Sequence, residues 1–367
     1  MPELKNVLTV YFKLMDEIDS EQLVKALEVI MDTFSDHIGP FAFEITQQLT
    51  KKYQELINAS NDEGANDDDR EEQILAACGC VTAIRRVIES IHKNKESVQQ
   101  VMPVLMPIMM HTLTEDGLDS IEEGLDIINI FIYYGFDKGD VIPPEMWRLL
   151  PQIMYITGGA DDDVDGGFGF EFLMTASTAI QNYVAKDLTT IFEKHDEQHD
   201  TFLNLIIKFI QRILVQNQQS KHKQDGVTIC RVLIALLENH PGRLDEQLEN
   251  LVGILLAEIK IATDGDQKEQ AKTPSNYTSM LFQSIATAFY NNASITFQVI
   301  EKNNMTTTVF SKWLEFMPLF KQEFEIRRVL FGLASMLKCT KDAMPEIVQQ
   351  RLPFIVSHIE TLTTQVY

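Results

Sequence analysis

Residues 118–132 read LDSIEEGLDIINIFI. Leu118, Ile121, Leu125, Ile128 and Ile132 recur at steps of three and four, which sets them on one face of an α-helix. A strand would need alternation at every second residue, and strict alternation is almost absent from the chain. The same stripe recurs at Leu23, Leu27, Ile30 and Phe34, at Phe202, Ile206, Phe209 and Ile213, and at Leu244, Leu248, Leu251, Leu255 and Ile259. The fold class expected is all-α.

Working outward, the periodicity predicts about sixteen helices, near 3–15, 20–34, 39–58, 70–93, 96–113, 117–134, 143–157, 169–184, 197–216, 223–239, 243–263, 274–291, 293–302, 306–320, 324–338 and 343–363. Asp19 and Ser20 suit the start of the second, Pro143 and Pro144 a helix start, and Gly135 a helix end. Most fall into antiparallel pairs at a spacing near 40 residues, the period of HEAT-type repeats. Met102-Pro103, Leu150-Pro151, Met317-Pro318 and Leu352-Pro353 place prolines inside first helices, where each removes a backbone hydrogen bond and bends the helix. Arg86-Val87-Ile88, Arg231-Val232-Leu233 and Arg328-Val329-Leu330 put a base beside the stripe of second helices. The expectation is one HEAT solenoid over 1–367, of about eight pairs, rather than one compact all-α domain. Such an array buries each stripe against its neighbours and leaves a long, open concave face.

The chain of 367 residues has 54 acids against 31 bases, a formal net charge of −23. That disfavours nucleic acid and anionic membranes and favours basic partners. Cys78, Cys80, Cys230 and Cys339 form no disulfide framework, no CxxC pair and no metal quartet, as expected of a reducing compartment. The N-terminus carries no secretory pattern, and no run approaches the ~20 apolar residues needed to cross a bilayer.

Two acidic stretches are the candidate sites. Asp62, Glu63, Asp67, Asp68, Asp69, Glu71 and Glu72 place seven acids around one base, Arg70, in an insert at 59–72. The plain reading is a solvated loop; the functional one is an electrostatic clamp for basic cargo. Asp161, Asp162, Asp163 and Asp165 lie in a Gly-rich turn at 158–168. Its first positions resemble a calcium loop, but position twelve holds Phe172 rather than a bidentate glutamate, so an acidic turn is the better reading. His195 and His199 stand four apart without the glutamate or third ligand of a zinc site. Trp147 and Trp313 are explained by core packing, with a groove anchor as the alternative. No phosphate loop, nucleophile elbow or catalytic set is present, so no cofactor and no enzyme activity are expected.

Several stretches in order resemble a known family. Phe34-Ser35-Asp36 through Pro40 leads into EITQQL at 44–49, then the acidic segment 62–69, then a long helix from Ile74 to Ile91. Downstream stand PEMWRLLP at 144–151 and Asn182-Tyr183-Val184. Together these resemble the importin-β superfamily, importin-seven and importin-eight class. The resemblance covers residues 1–260; from there to 367 it rests on helix pattern and Trp313-Leu314. It implies a HEAT superhelix that carries cargo through nuclear pores, shuttling between cytoplasm and nucleus. The family releases cargo on binding Ran in its GTP form, mainly through N-terminal repeats expected to be absent here. The class's acidic C-terminal tail is also expected to be absent, so the chain would correspond to the cargo-facing half. The implied partners are basic cargo of histone or ribosomal-protein type and Phe-Gly nucleoporins. The competing expectation is a HEAT scaffold of another class, serving a phosphatase or chromosome complex.

Overall fold

The structure is a computed structural model that describes residues 2–17, 26, 29–30, 33–62, 66–159, 167–194, 200–219, 223–269, 275–316 and 320–366. Most of the helix expected at 20–34 lies outside them, as do Pro318, His195 and His199. The longer helices are α1 (Pro2–Glu17), α2 (Ala42–Ser60), α3 (Asp67–Ile91), α4 (Lys95–His111), α5 (Ile121–Gly135), α6 (Leu149–Gly158), α7 (Leu173–Lys186), α8 (Phe202–Gln219), α9 (Gln224–Asn239), α10 (Asp245–Glu269), α11 (Asn276–Lys302), α12 (Thr306–Phe316), α13 (Glu323–Met336) and α14 (Glu346–Val366). The all-α, HEAT-type reading holds. Among the described residues five such pairs pack, from α2/α3 to α10/α11, rather than eight; α12 and α13 each pack on α11 and α14 instead of on one another.

The repeat is longer than expected. The second helices begin at 67, 121, 173, 224, 276 and 323, steps of 47 to 54 rather than 40. The extra residues go into a 25-residue α3 and into 3₁₀ segments such as Glu115–Ser120 and Phe170–Phe172 that precede second helices. The expected single array also divides into two compact units, Met1–Thr190 and Ile191–Tyr367.

In the N-terminal unit the second helices α3, α5 and α7 lie side by side and run parallel. Arg85 of α3 meets Asp126 of α5 at 3.1 Å. One step on, Asn129 of α5 bonds to the Thr175 carbonyl of α7, and Lys186 sits over the Tyr133 ring. Two glycines set the α4–α5 turn. A Cβ at Gly117 would stand 2.1 Å from the His111 carbonyl oxygen, and one at Gly124 2.1 Å from Thr112 Oγ1, so neither position admits a side chain.

Trp147 is buried and packs against Tyr183, which excludes the groove-anchor alternative for it. Its indole N–H donates to Asp187 Oδ2 at 3.1 Å, and the Ile142 amide donates to the same oxygen at 3.0 Å. Asp187 Oδ1 accepts from the Thr189 and Thr190 amides and from the Thr189 hydroxyl, all at 3.0 Å. Burial alone would raise this carboxyl, yet the donors of Thr190, Thr189 and Ile142 hold it below the usual carboxylate range. Pro103 lies inside α4 as expected, and Pro107 joins it one turn on. Pro151 does not bend a helix: α6 starts at Leu149, so the proline occupies its first turn, where an amide N–H has no helical partner to lose.

In the C-terminal unit α9, α11 and α13 form the corresponding parallel row. The helices expected at 274–291 and 293–302 meet at Asn292, whose φ of −153° and ψ of 101° break α11. Asn292 Oδ1 then caps the second stretch by accepting from the Ile295 amide at 3.2 Å. Trp313 is fully buried and stacks on Phe289 at 5.7 Å, so it too is core.

Candidate functional site

Asp62, Asp67, Asp68, Asp69, Glu71 and Glu72 are all exposed; Glu63 lies outside the described residues. The expected loop is corrected: five of these acids occupy the first two turns of α3, and the helix starts at Asp67 instead of 70. The cause is local. Asn66 accepts the Asp69 amide on Oδ1 at 2.8 Å and donates from Nδ2 to Asp69 Oδ2 at 2.7 Å, a reciprocal cap. Carboxylates in a first turn also face the positive end of the helix dipole, so the run nucleates the helix rather than repelling it. Arg70 reaches back to the Asp62 carbonyl at 3.1 Å and closes the turn.

Asp161, Asp162, Asp163 and Asp165 lie outside the described residues, but both ends of their segment are placed. Gly159, at φ 73°, accepts the turn that ends α6. Gly169 donates to the Ile156 carbonyl at 2.8 Å, and a Cβ at Gly167 would collide with that oxygen at 2.2 Å.

Between these two runs lies a third that the sequence reading passed over: Glu115, Asp116, Asp119, Glu122, Glu123 and Asp126, with no Lys or Arg among residues 113–126. It is masked in sequence because four of these acids alternate with the very stripe that identifies α5. The signal available was recurrence, since an acidic run precedes or opens each of α3, α5 and α7. Because α3 and α5 are parallel neighbours, their two runs share one end of the row. Cys78 of α3 marks the level of α5's start: burial, then the carboxylates of Asp119 and Glu123, push its thiol above the ordinary value, against a hydrogen bond with Ser120. The acids of α3 lie six to eleven residues before Cys78, so they project about 12 Å beyond the α5 run at 1.5 Å per residue.

The charge is partitioned accordingly. Residues 1–190 hold 34 acids and 13 bases, or −21; residues 191–367 hold 20 and 18, or −2, which together give the −23 of the chain. Among the described residues no group of three or more His, Cys, Asp or Glu is arranged to hold a metal ion, and no helix is long and apolar enough to cross a membrane.

The sequence has counterparts elsewhere. An importin beta-like SAD2 homologue of Arabidopsis thaliana is 25% identical over 376 aligned positions, which take in 98% of this chain and 34% of that protein. A probable importin-7 homologue of Dictyostelium discoideum is 24% identical over 349 positions, 95% of this chain and 30% of that protein. Both relatives carry importin names, and the chain is similar to them along nearly its whole length. No family model matches it. The chain spans about a third of the length of the curated relatives it matches.

Proposed function

We propose that this chain is the cargo-holding part of a nuclear import receptor that shuttles between cytoplasm and nucleus. It holds basic protein cargo of histone or ribosomal-protein type on the acidic end of α3 and α5, binding it without chemical change. The observation that supports the reading is that the acidic runs of α3 and α5 stand at the same end of two parallel neighbouring helices. Carboxylates so grouped raise the local potential for cations and steer basic partners in, an effect that salt screens. The names of the two relatives supply the transport context. Passage through the pore would use apolar slots between first helices. The depression between α12 and α14 offers Phe310, Leu314, Ile347, Val348 and Ile355 to a Phe-Gly side chain, beside the polar Ser311 and Arg351. Cargo release under Ran-GTP would act mainly through repeats outside this chain.

The test replaces Asp67, Asp68, Asp69, Glu71, Glu72, Asp119, Glu122 and Glu123 by Asn or Gln. Exposed ionic contacts contribute ~0.2–1 kcal/mol each, so the loss of several should weaken linker-histone binding at least tenfold at low salt and flatten its salt dependence. Unchanged affinity and salt slope would refute the reading. Capture on Phe-Gly repeat resin separates a transport receptor from a HEAT scaffold of another class, which should pass through.

A further inference from the structure

The C-terminal unit carries a second surface of different chemistry on its own row of second helices. Two adjoining depressions run across α9, α11 and α13. The first, about 300 Å³, is lined by Glu238, Tyr290, Phe324, Arg327, Arg328 and Phe331. The second, about 480 Å³, continues past Tyr290 to Asn292 and Lys338. Phe324 and Phe331 are each 54% exposed and Tyr290 38%. Three large rings on one open face are more than the scattered apolar residues of an ordinary surface.

Packing puts the rings there. A Cβ at Gly332 would stand 2.5 Å from the Ala286 carbonyl oxygen, so α11 and α13 touch backbone to backbone. Tyr290 and Phe331 flank that contact and meet each other at 5.9 Å between ring centroids. Arg328 is held in place: it donates to Glu238 at 2.7 Å and to Gln283 at 3.1 Å, and its guanidinium covers Phe324 at 5.3 Å.

The charge of the groove runs against that of the chain. Its charged lining is Arg327, Arg328 and Lys338 against Glu238, a balance of +2 in a chain of −23. Glu238 is already engaged by Arg328. Arg327 pairs with Glu323 one turn back, and both are more than half exposed, so the pair is readily exchanged. Lys338 has no carboxylate partner among the described residues. From Arg327 to Lys338 is eleven residues along α13 and its end, about 16 Å. An extended peptide covers that in about five residues at ~3.3 Å each.

We propose that this groove docks an extended acidic peptide segment, with carboxylates about five residues apart and a large apolar side chain between them seated on Phe331 and Tyr290. The chain would then hold partners of opposite charge on its two units, and this site is independent of the acidic rim.

The probe is a fluorescein-labelled peptide, Asp-Glu-Gly-Phe-Gly-Glu-Asp, titrated with the full chain at low salt and followed by anisotropy. Saturable binding is expected. It should weaken at least tenfold in Phe331→Ala, in Lys338→Gln and in the Arg327→Glu/Lys338→Glu double variant, and when alanine replaces the peptide's phenylalanine. Neutralising the acids of α3 and α5 should not weaken it, which separates this site from the proposed cargo surface. Far-UV circular dichroism checks that each variant keeps its helices; Lys338→Gln alters one exposed side chain and keeps the test decisive if the others do not fold. The inference is overturned if the acidic peptide does not saturate, or if it tolerates Lys338→Gln together with Phe331→Ala.

Discussion

Replacing Asp187 by asparagine, a change that keeps size and shape, should destabilise the N-terminal unit nearly as much as replacing it by alanine. The carboxylate is fully buried and faces donors on both oxygens. An asparagine can leave its oxygen toward Thr189 and Thr190, but its amide then points N–H groups at the Ile142 amide and the Trp147 indole, two donors in residues about 1% exposed. A buried donor without an acceptor costs ~1–3 kcal/mol, so two cost about 4 kcal/mol. Alanine also strips the acceptor from Thr189 and Thr190; Thr189 is exposed and can turn to water, so the added cost is about 1 kcal/mol. Against a domain stability of ~5–15 kcal/mol either change is large. Urea unfolding followed by Trp147 emission, in a Trp313→Phe background, measures it directly. The depressed carboxyl adds a pH signature. Its contribution is present above the ordinary carboxylate value of ~3.9 and is lost as pH falls through the lower folded value, so the parent should lose stability on acidification that Asp187→Ala does not. An Asp187→Asn variant within about 1 kcal/mol of the parent would refute the donor argument.

Other expectations follow from single contacts. Gly332→Ala should destabilise the C-terminal unit by about 1–3 kcal/mol because its methyl meets the Ala286 carbonyl, whereas Gly253→Ala, with nothing within 4 Å inside α10, should stabilise by about 0.5–1 kcal/mol; thermal melts of the pair test the contrast. Neutralising Asp67, Asp68 and Asp69 should lower helix stability by a few tenths to about 1 kcal/mol each, since they sit at the start of α3, and a melting temperature that rises would contradict this. Tyr53 meets His111 Nδ1 at 2.7 Å, and burial holds that imidazole below its ordinary value. Stability should therefore fall as pH drops from about 7 through the folded value, because the unfolded chain protonates first, and His111→Gln should flatten that slope.

Much of the helical layout was readable because burial leaves its mark as spacing. The stripes of α5, α8 and α10 are core in the structure, and even the break at Asn292 was visible as a boundary between two patterns. What escaped the reading depends on through-space pairing or on competing uses of one residue. The acids of 67–72 looked like a solvated loop because charge density was weighed without the Asn66 cap that turns them into a helix start. Asp187 carries no periodic signal, although the Thr189-Thr190 that follows it is the pattern of a side chain folding back on its own turn. The charge difference between the units was present in the sequence throughout, but it becomes visible only when the boundary at 190 is known.

The stagger between α3 and α5 implies a spacing rule for whatever binds the acidic rim. Neighbouring packed helices lie ~8–10 Å apart, so the α5 run and the start of α7 are bridged by about three residues of extended chain. The α3 acids stand about 12 Å further out as well, which lengthens that step to about 15 Å, or four to five residues. Gly117 and Gly124 fix the α4–α5 turn against rearrangement, so the rim cannot shuffle its charges to suit a guest. A ligand with lysines and arginines evenly distributed would satisfy one run at a time. One with two basic clusters set four or five residues apart would satisfy both at once, and the rim would work as a ruler as well as a magnet.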